Sequence, residues 1–478
     1  MTLLSFRHDV RVEPAADGVR LSGPWGALAI RTTDEEVRAG LRRLAGPPLP
    51  LGELPERLAR LTGRLGYLLA RSIHVDGREL ARVEAVAREA DYTPAPVPAE
   101  ASVQLAKFTL LRAYEGHLVV ESPLVKQRMA LLDPAARSMV AALGAPVRVA
   151  DLPPSGLSDQ AVAELLAHLV GAGFAEVTEE EHPVLRQWDF HDLLFHARSR
   201  FGRHDEPFGG IFPYVGEIEP QPAVKEPPQG PSVELHRPEL DELLERDPVL
   251  TTVLEGRASV RQSGEQPMTV EQLGEFLYRV ARVRSQFGPV PESMPYEATS
   301  RPYPCGGSAY ELELYVTVRR CAGLAEGVYY YDPVGHRLVL VNDDEEDRAA
   351  LLRMAYMATA RSAVPDVLFT MTSRFQRLSW KYRGIAYAVT LKHAGVLYQT
   401  MYLVATAMGL APCGLGSGDA DLVSRVMGLD YLRESSVGEF MLGSLPADGP
   451  QAHRPEGWRR VNDAEWAEVS RDALRALR

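Results

Sequence analysis

Between residues 207 and 231 this chain cannot build a core. Pro220, Pro222, Pro227, Pro228 and Pro231 fall there with Gly209, Gly210, Gly216 and Gly230, and no apolar periodicity runs through the stretch. Proline fixes φ and removes a backbone donor, so neither a helix nor a sheet ladder can continue through it. The stretch therefore reads as an extended linker. At 478 residues the chain is in any case too long for one domain. The expected division is a unit at 1–95, a second at 96–205, a linker at 206–232 and a larger domain at 233–478.

The first two units read alike. Residues 5–32 alternate apolar and polar, 34–45 and 53–63 carry helical spacing, and 66–77 return as a strand. The second unit repeats the order with a strand at 116–122, helices at 134–143 and 158–171, and a strand at 174–177. Strands around two or three short helices outline a winged helix. Its commonest use is DNA binding, but the candidate recognition helix, with Asp159 and Glu164, is acidic where phosphate contacts need cations. The formal net charge of −12 also gives no basic field for nucleic acid. Docking a peptide along a strand edge is the other use of this shape, and the one expected here. A helix follows at 188–200. His191 and His196 stand five apart and share no face, so no metal is expected from them.

Beyond the linker helix and strand alternate, and the expectation is an α+β fold with helices covering a sheet. An amphipathic helix at 269–281 precedes strands at 309–319, 328–332, 337–341 and 366–372. Residues 383–408 form a long apolar helix stopped by Gly409, with Pro412 just beyond. Lys392, His393 and Gln399 interrupt it, which suits a core or a subunit interface better than a membrane. No run of ~18 apolar residues and no signal-peptide core is present, and Cys305, Cys321 and Cys413 form no CxxC pair. A cytoplasmic protein without a structural metal is expected.

Three segments carry the chemistry. Arg257, Ser259 and Arg261 alternate, so on extended backbone two cations and a hydroxyl share one face, as an anion such as a phosphate requires. Read alone, this is equally a solvated cationic turn. Pro304, Cys305, Gly306 and Gly307, and the stretch from Gly409 to Gly418, offer glycine turns whose N–H groups approach a flat ring or an anion without a Cβ between. Leu415, Gly416 and Ser417 fall in the second. Between them lies Trp380-Lys381-Tyr382-Arg383-Gly384, a proton-transfer pair beside an aromatic. Tyr382 is one candidate base, with the Lys381 ammonium favouring its phenolate. Lys381 after desolvation is the other. Neighbours on regular backbone point apart, so the pair must sit at a turn or helix start.

In this order, over residues 188–445, the motifs resemble the nitroreductase-like FMN enzymes. Within them they are similar to the SagB/ThcOx-type azoline dehydrogenases of thiazole/oxazole-modified peptide pathways. The resemblance implies FMN bound by Arg257, Ser259, Arg261, Pro304, Cys305, Gly306, Gly307, Leu415, Gly416 and Ser417. It implies oxidation of peptide thiazolines or oxazolines with Lys381 and Tyr382 as the catalytic pair. It also implies a homodimer and, as partners, an azoline-containing precursor peptide and a cyclodehydratase complex. Cys305 departs from the serine usual at its position. The alternative is a small-molecule flavin reductase or nitroreductase, which needs neither a carbon base nor a long N-terminal half.

Overall fold

The computed structural model describes residues 2–23, 25–177, 182–204, 207–290, 292–449, 457, 459 and 461–477. The chain forms two compact units, Met1–Ile211 and Phe212–Arg478.

In the first unit seven antiparallel strands form one sheet. Their order is Leu49–Pro50, Thr2–Phe6, Leu69–Val75, Arg78–Ala85, Gln127–Leu131, His117–Glu121 and Leu110–Tyr114. The two winged units expected at 1–95 and 96–205 thus share a sheet, because Arg78–Ala85 pairs with Gln127–Leu131. The expected 205/206 boundary lies outside the described residues. Helices form where polar caps meet apolar spacing. Asp34 caps Glu35–Leu44 by accepting from the N–H groups of Glu36 and Val37, and this helix buries Val37, Leu41 and Leu44. Ser158 caps Asp159–Ala172, whose Leu165, Leu166 and Leu169 are buried. On the helix Phe190–Arg198, His191 is exposed and His196 stacks on Trp188.

The second unit is a three-layer sandwich. Its antiparallel sheet runs Ser232–Glu234, Arg337–Asn342, Gly327–Asp332, Leu312–Val318, Val367–Arg374, Glu434–Ser444 and Leu410–Leu415. Strand alternation sorts the two faces. Leu314, Val316, Phe369 and Phe440 pack with the helices Val270–Ala281 and Ala386–Ala407. Tyr315, Leu368 and Met441 pack with Glu345–Ala358 and Ala420–Met427. No helix is long and apolar enough to cross a membrane among the described residues.

Two expectations change. The stretch after Gly409 is not a turn throughout: Leu410–Leu415 is a strand at the sheet edge. Pro412 is tolerated because an edge strand leaves one side unpaired, and its carbonyl accepts from the Val260 N–H at 2.8 Å. The proline-rich stretch turns at 213–217 and forms no helix or strand from 219 to 231, and from Phe212 onward it is a strap fixed to its own unit rather than a free spacer. Prolines supply carbonyls without donors, and buried side chains take them up. Trp380 Nε1 donates to the Ile218 carbonyl (2.7 Å), Arg377 to that of Gln221 (2.6 Å), and Arg374 to those of Pro222 (2.9 Å) and Ala223 (3.0 Å). Lys225 closes the strap on Glu434 at 2.6 Å.

His168 gives the first unit a pH dependence. It is 1% exposed, with Nδ1 2.7 Å from Tyr92 Oη and Nε2 3.1 Å from Thr2 Oγ1. Burial pulls its pKa from 6.5 down to about 4. The unfolded chain therefore binds the extra proton first. The stability is fully present above pH 6.5 and is lost as pH falls toward 4. The loss is expected to reach roughly 3 kcal/mol. Thermal unfolding followed by circular dichroism should show it for the first unit's transition, and His168→Leu should flatten the profile.

Candidate active site

One cluster forms where the loop after Tyr303 meets the end of the short helix Phe375–Ser379. Trp380 ends that helix, Tyr382–Arg383 is a two-residue strand, and Gly384 turns with φ 81° into the long helix. This break lets two adjacent side chains converge: Lys381 Nζ lies 5.2 Å from the Tyr382 ring centroid. Gly306 and Gly307 face the pair. Gly307 has φ 61°, and a Cβ there would overlap Lys381 Nζ. A Cβ on Gly306 would stand 3.4 Å from Tyr382 Oη. Gly307 is thus required by close approach and by conformation, Gly306 by close approach alone.

Electrostatics divide the roles. Burial raises the Tyr382 pKa, and the Lys381 cation and its hydrogen bond pull it back down. The expected effect of Lys381 is present, but burial outweighs it. Burial, reinforced by the Glu311 charge, pushes the Cys305 thiol up to about 12. Cys305 is therefore a neutral thiol, and its sulfur accepts from the Tyr310 N–H at 3.1 Å.

Three residues that sequence reasoning missed complete this cluster. His393 Nε2 accepts from the Gly306 N–H at 2.8 Å, and Nδ1 lies 2.8 Å from Glu311 Oε1. An acceptor at Nε2 places the ring proton on Nδ1, directed at the buried carboxylate. Cys305, Glu311 and His393 lie close enough to hold a metal ion. Both ring nitrogens are already committed, so the set reads as a brace for the glycine turn. Tyr296 Oη accepts from Lys381 Nζ at 2.5 Å and donates to the Gly307 carbonyl at 2.7 Å. The sole signal for His393 was a polar residue interrupting an apolar helix; Tyr296 and Glu311 gave none.

A second cluster lies beside the edge strand. Ser259 Oγ is 2.8 Å from Tyr402 Oη, which also accepts from the Gly414 N–H at 2.8 Å. The Arg257 guanidinium lies 5.2 Å from the Tyr402 ring centroid. Arg257 is half-buried and Arg261 exposed, and no carboxylate pairs with either among the described residues. Leu415 pairs with Glu439 in the sheet and its side chain enters the core, whereas Gly416 and Ser417 are exposed.

The long helix separates the two clusters. His393 belongs to the first and Tyr402 to the second. Nine residues span about 13.5 Å and 900°, so the two side chains leave opposite faces. One chain brings 305–307 together with 381–382, and Ser259 with Gly414 through Tyr402, at opposite faces of this helix. The parts fit FMN chemically. Two cations with no acidic partner among the described residues, and a hydroxyl, suit a phosphate, and a Cβ on Gly416 would meet nothing within 4 Å, leaving room for a ring.

Residues 103–205 match the family model of the cyanobactin oxidase ThcOx, and residues 254–444 that of the nitroreductase family. A nitroreductase-like protein of Methanocaldococcus jannaschii is 27% identical over 188 residues, 39% of this chain and 86% of that protein. A nitroreductase-type structure from Ralstonia eutropha is 20% identical, covering 48% of this chain and 94% of its own, with a TM-score of 0.36. A chain of the E. coli microcin synthetase McbBCD complex, solved with truncated pro-MccB17 bound, is 22% identical. That match covers 39% of this chain and 70% of its own, with a TM-score of 0.32.

Gly307→Ala should cost about 1–2 kcal/mol from the left-handed backbone alone. It should also expel the Lys381 ammonium from its place. Denaturant unfolding measures the first effect, and a crystal structure of the variant the second.

Proposed function

On the premise that residues 254–444 form a nitroreductase-family domain behind a ThcOx-type segment at 103–205, we propose that this chain is an FMN-dependent azoline dehydrogenase. It oxidises thiazolines or oxazolines in a ribosomally made peptide to thiazoles or oxazoles. The observation that carries this reading is the convergence of Lys381 and Tyr382 on the Gly306–Gly307 turn. A flavin reductase of small molecules needs no base at carbon.

Aromatising an azoline removes a hydride from the ring β-carbon and a proton from the α-carbon. FMN supplies the hydride acceptor when bound. Arg257, Arg261 and Ser259 would hold its phosphate, and the turns at 304–307 and 415–417 would line its ring. Tyr382 and Lys381 manage the α-proton at the half-buried floor beside Gly306. Partial burial there strengthens the Lys381–Tyr382 interaction.

Because the anion cluster and the Lys381 cluster leave opposite faces of one helix, a complete site needs both from different chains. A homodimer supplies them. Tyr387 and Leu391 are exposed on the long helix at 48% and 40%, as are Leu240, Leu244, Val249 and Leu250 at 64–72%, which gives the dimer apolar surface to bury. The N-terminal unit would dock the precursor peptide or a cyclodehydratase partner in the cytoplasm.

Arg257→Ala combined with Arg261→Ala should yield largely colourless protein, since each charged phosphate contact contributes roughly 1.5–3 kcal/mol. Stoichiometric flavin in that double variant, read by absorbance, would remove the phosphate assignment. Light scattering at micromolar concentration should give twice the 52.6 kDa chain mass. Lys381→Ala and Tyr382→Phe should each slow azoline oxidation about 10²–10⁴-fold with FMN retained. Mass spectrometry reads this as a missing two-hydrogen loss per ring. Wild-type rates in both variants would remove the Lys381–Tyr382 assignment, and a wild type that oxidises no azoline would favour a small-molecule reductase.

A further inference from the structure

The Lys381 ammonium sits in a cage of three aromatic rings. Nζ lies 4.6 Å from the ring centroid of Tyr296, 5.2 Å from Tyr382 and 5.8 Å from Phe212. A cation over several ring faces is favoured more strongly than a neutral amine. The hydrogen bonds point the same way. A carbonyl only accepts, so the Tyr296 proton is committed to Gly307, and the Tyr296 oxygen offers Lys381 a lone pair. Lys381 is the donor in that chain.

The cage is built, not incidental. Tyr296 is 6% exposed and packs on Trp380 and Phe212, with ring centroids at 6.4 and 6.0 Å. Arg377 fixes the backbone beside it by donating to the Glu297 carbonyl at 2.9 Å. Phe212 adopts φ 52° and its N–H donates to the Lys381 carbonyl at 3.1 Å. The first residue of the strap is thereby tied to the residue whose side chain it covers.

We propose that Tyr296 is a positioning residue: its hydroxyl, with Phe212 closing the cage, locks Lys381 as a cation and leaves Tyr382 to take the α-carbon proton. This rests on the azoline dehydrogenase reading for its substrate, while the cage belongs to the chain itself. In the step, Tyr382 acts in its ionised form, its phenolic proton having gone to solvent. The α C–H bond breaks, the proton passes to the Tyr382 oxygen, and the electron pair enters the ring as the β-carbon gives up a hydride, for which FMN would supply the acceptor. Two hydrogens and two electrons leave the azoline.

The other titratable groups around Tyr382 do not substitute for Lys381. The Tyr296 proton is engaged by Gly307, Cys305 is a neutral thiol, and both His393 nitrogens are occupied. Arg377, 6.0 Å from the Tyr296 ring centroid, spends its donors on carbonyls.

The test is carbon NMR of full-length, FMN-loaded protein with ring-labelled tyrosine, the Tyr382 signal being assigned by its loss in Tyr382→Phe. Tyr296→Phe keeps the ring and deletes the hydroxyl, and should move the Tyr382 titration about one pH unit higher. Phe212→Leu leaves every hydrogen bond in place and should move it in the same direction by less. Lys381→Met should give the largest shift and set the scale. In parallel, kcat for azoline oxidation in Tyr296→Phe should fall about 10²-fold with KM nearly unchanged. A Tyr382 titration at the wild-type position, or lower, in both Tyr296→Phe and Phe212→Leu overturns the proposal. The NMR needs no substrate, so the two readings fail separately. Expected shifts in a wild type that oxidises no azoline would defeat only the proposed activity. Unchanged titrations in an active enzyme would defeat only the role of Tyr296.

Discussion

The buried guanidinium of Arg377 holds three otherwise separate segments together. It is 5% exposed, and it spends its donors on the carbonyls of Gln221, Glu297 and Ala309. Those belong to the strap, to the segment carrying Tyr296, and to the loop that follows the glycine turn. Burial, and then the neighbouring Arg374 charge, pull its pKa down to about 10. No carboxylate pairs with it among the described residues, and a buried cation of this kind is costly unless its hydrogen-bond geometry is complete. Three fixed carbonyls provide that geometry, and the cage around Lys381 exists because they are fixed.

Much of the second unit was legible in sequence because its signals are local. Amphipathic spacing at 269–281 marks Val270–Ala281, and Gly409 stops the long helix within two residues of the expected end. Glycine turns and a Lys-Tyr pair at a helix break are likewise short-range features. What could not be read depends on distant pairing. Pro412 looked like a helix stop because nothing local marks a sheet edge, and the proline-rich stretch looked free because its anchors lie about 150 residues on. In the first unit the helices and part of the strands followed from pattern; the strands Arg78–Ala85, Leu110–Tyr114 and Gln127–Leu131 did not. The pairing of Arg78–Ala85 with Gln127–Leu131, which fuses two similar halves into one sheet, did not.

The candidate site shows the same split. Residues offering charge or a missing Cβ were found, since the chemistry is in the side chain or its absence. Tyr296, Glu311 and His393 were missed because their roles lie in what they orient. His393 reads as a polar flaw in an apolar helix until Gly306 is seen against one ring nitrogen and Glu311 against the other. Tyr296 is one aromatic among many until its hydroxyl is seen between an ammonium and a carbonyl.

The placement of His393 and Tyr402 on opposite faces of one helix sets a rule for how this domain can vary over evolution. Adding or removing a single residue between them would swing one cluster by about 100° against the other and slide it about 1.5 Å. Replacing side chains in the interval does neither. The interval is therefore fixed in length, and free in composition only away from Ala394, Leu397 and Met401, which are buried in the core. Diverging relatives built on this plan would keep the count between the two positions even after the histidine and the tyrosine themselves had been exchanged.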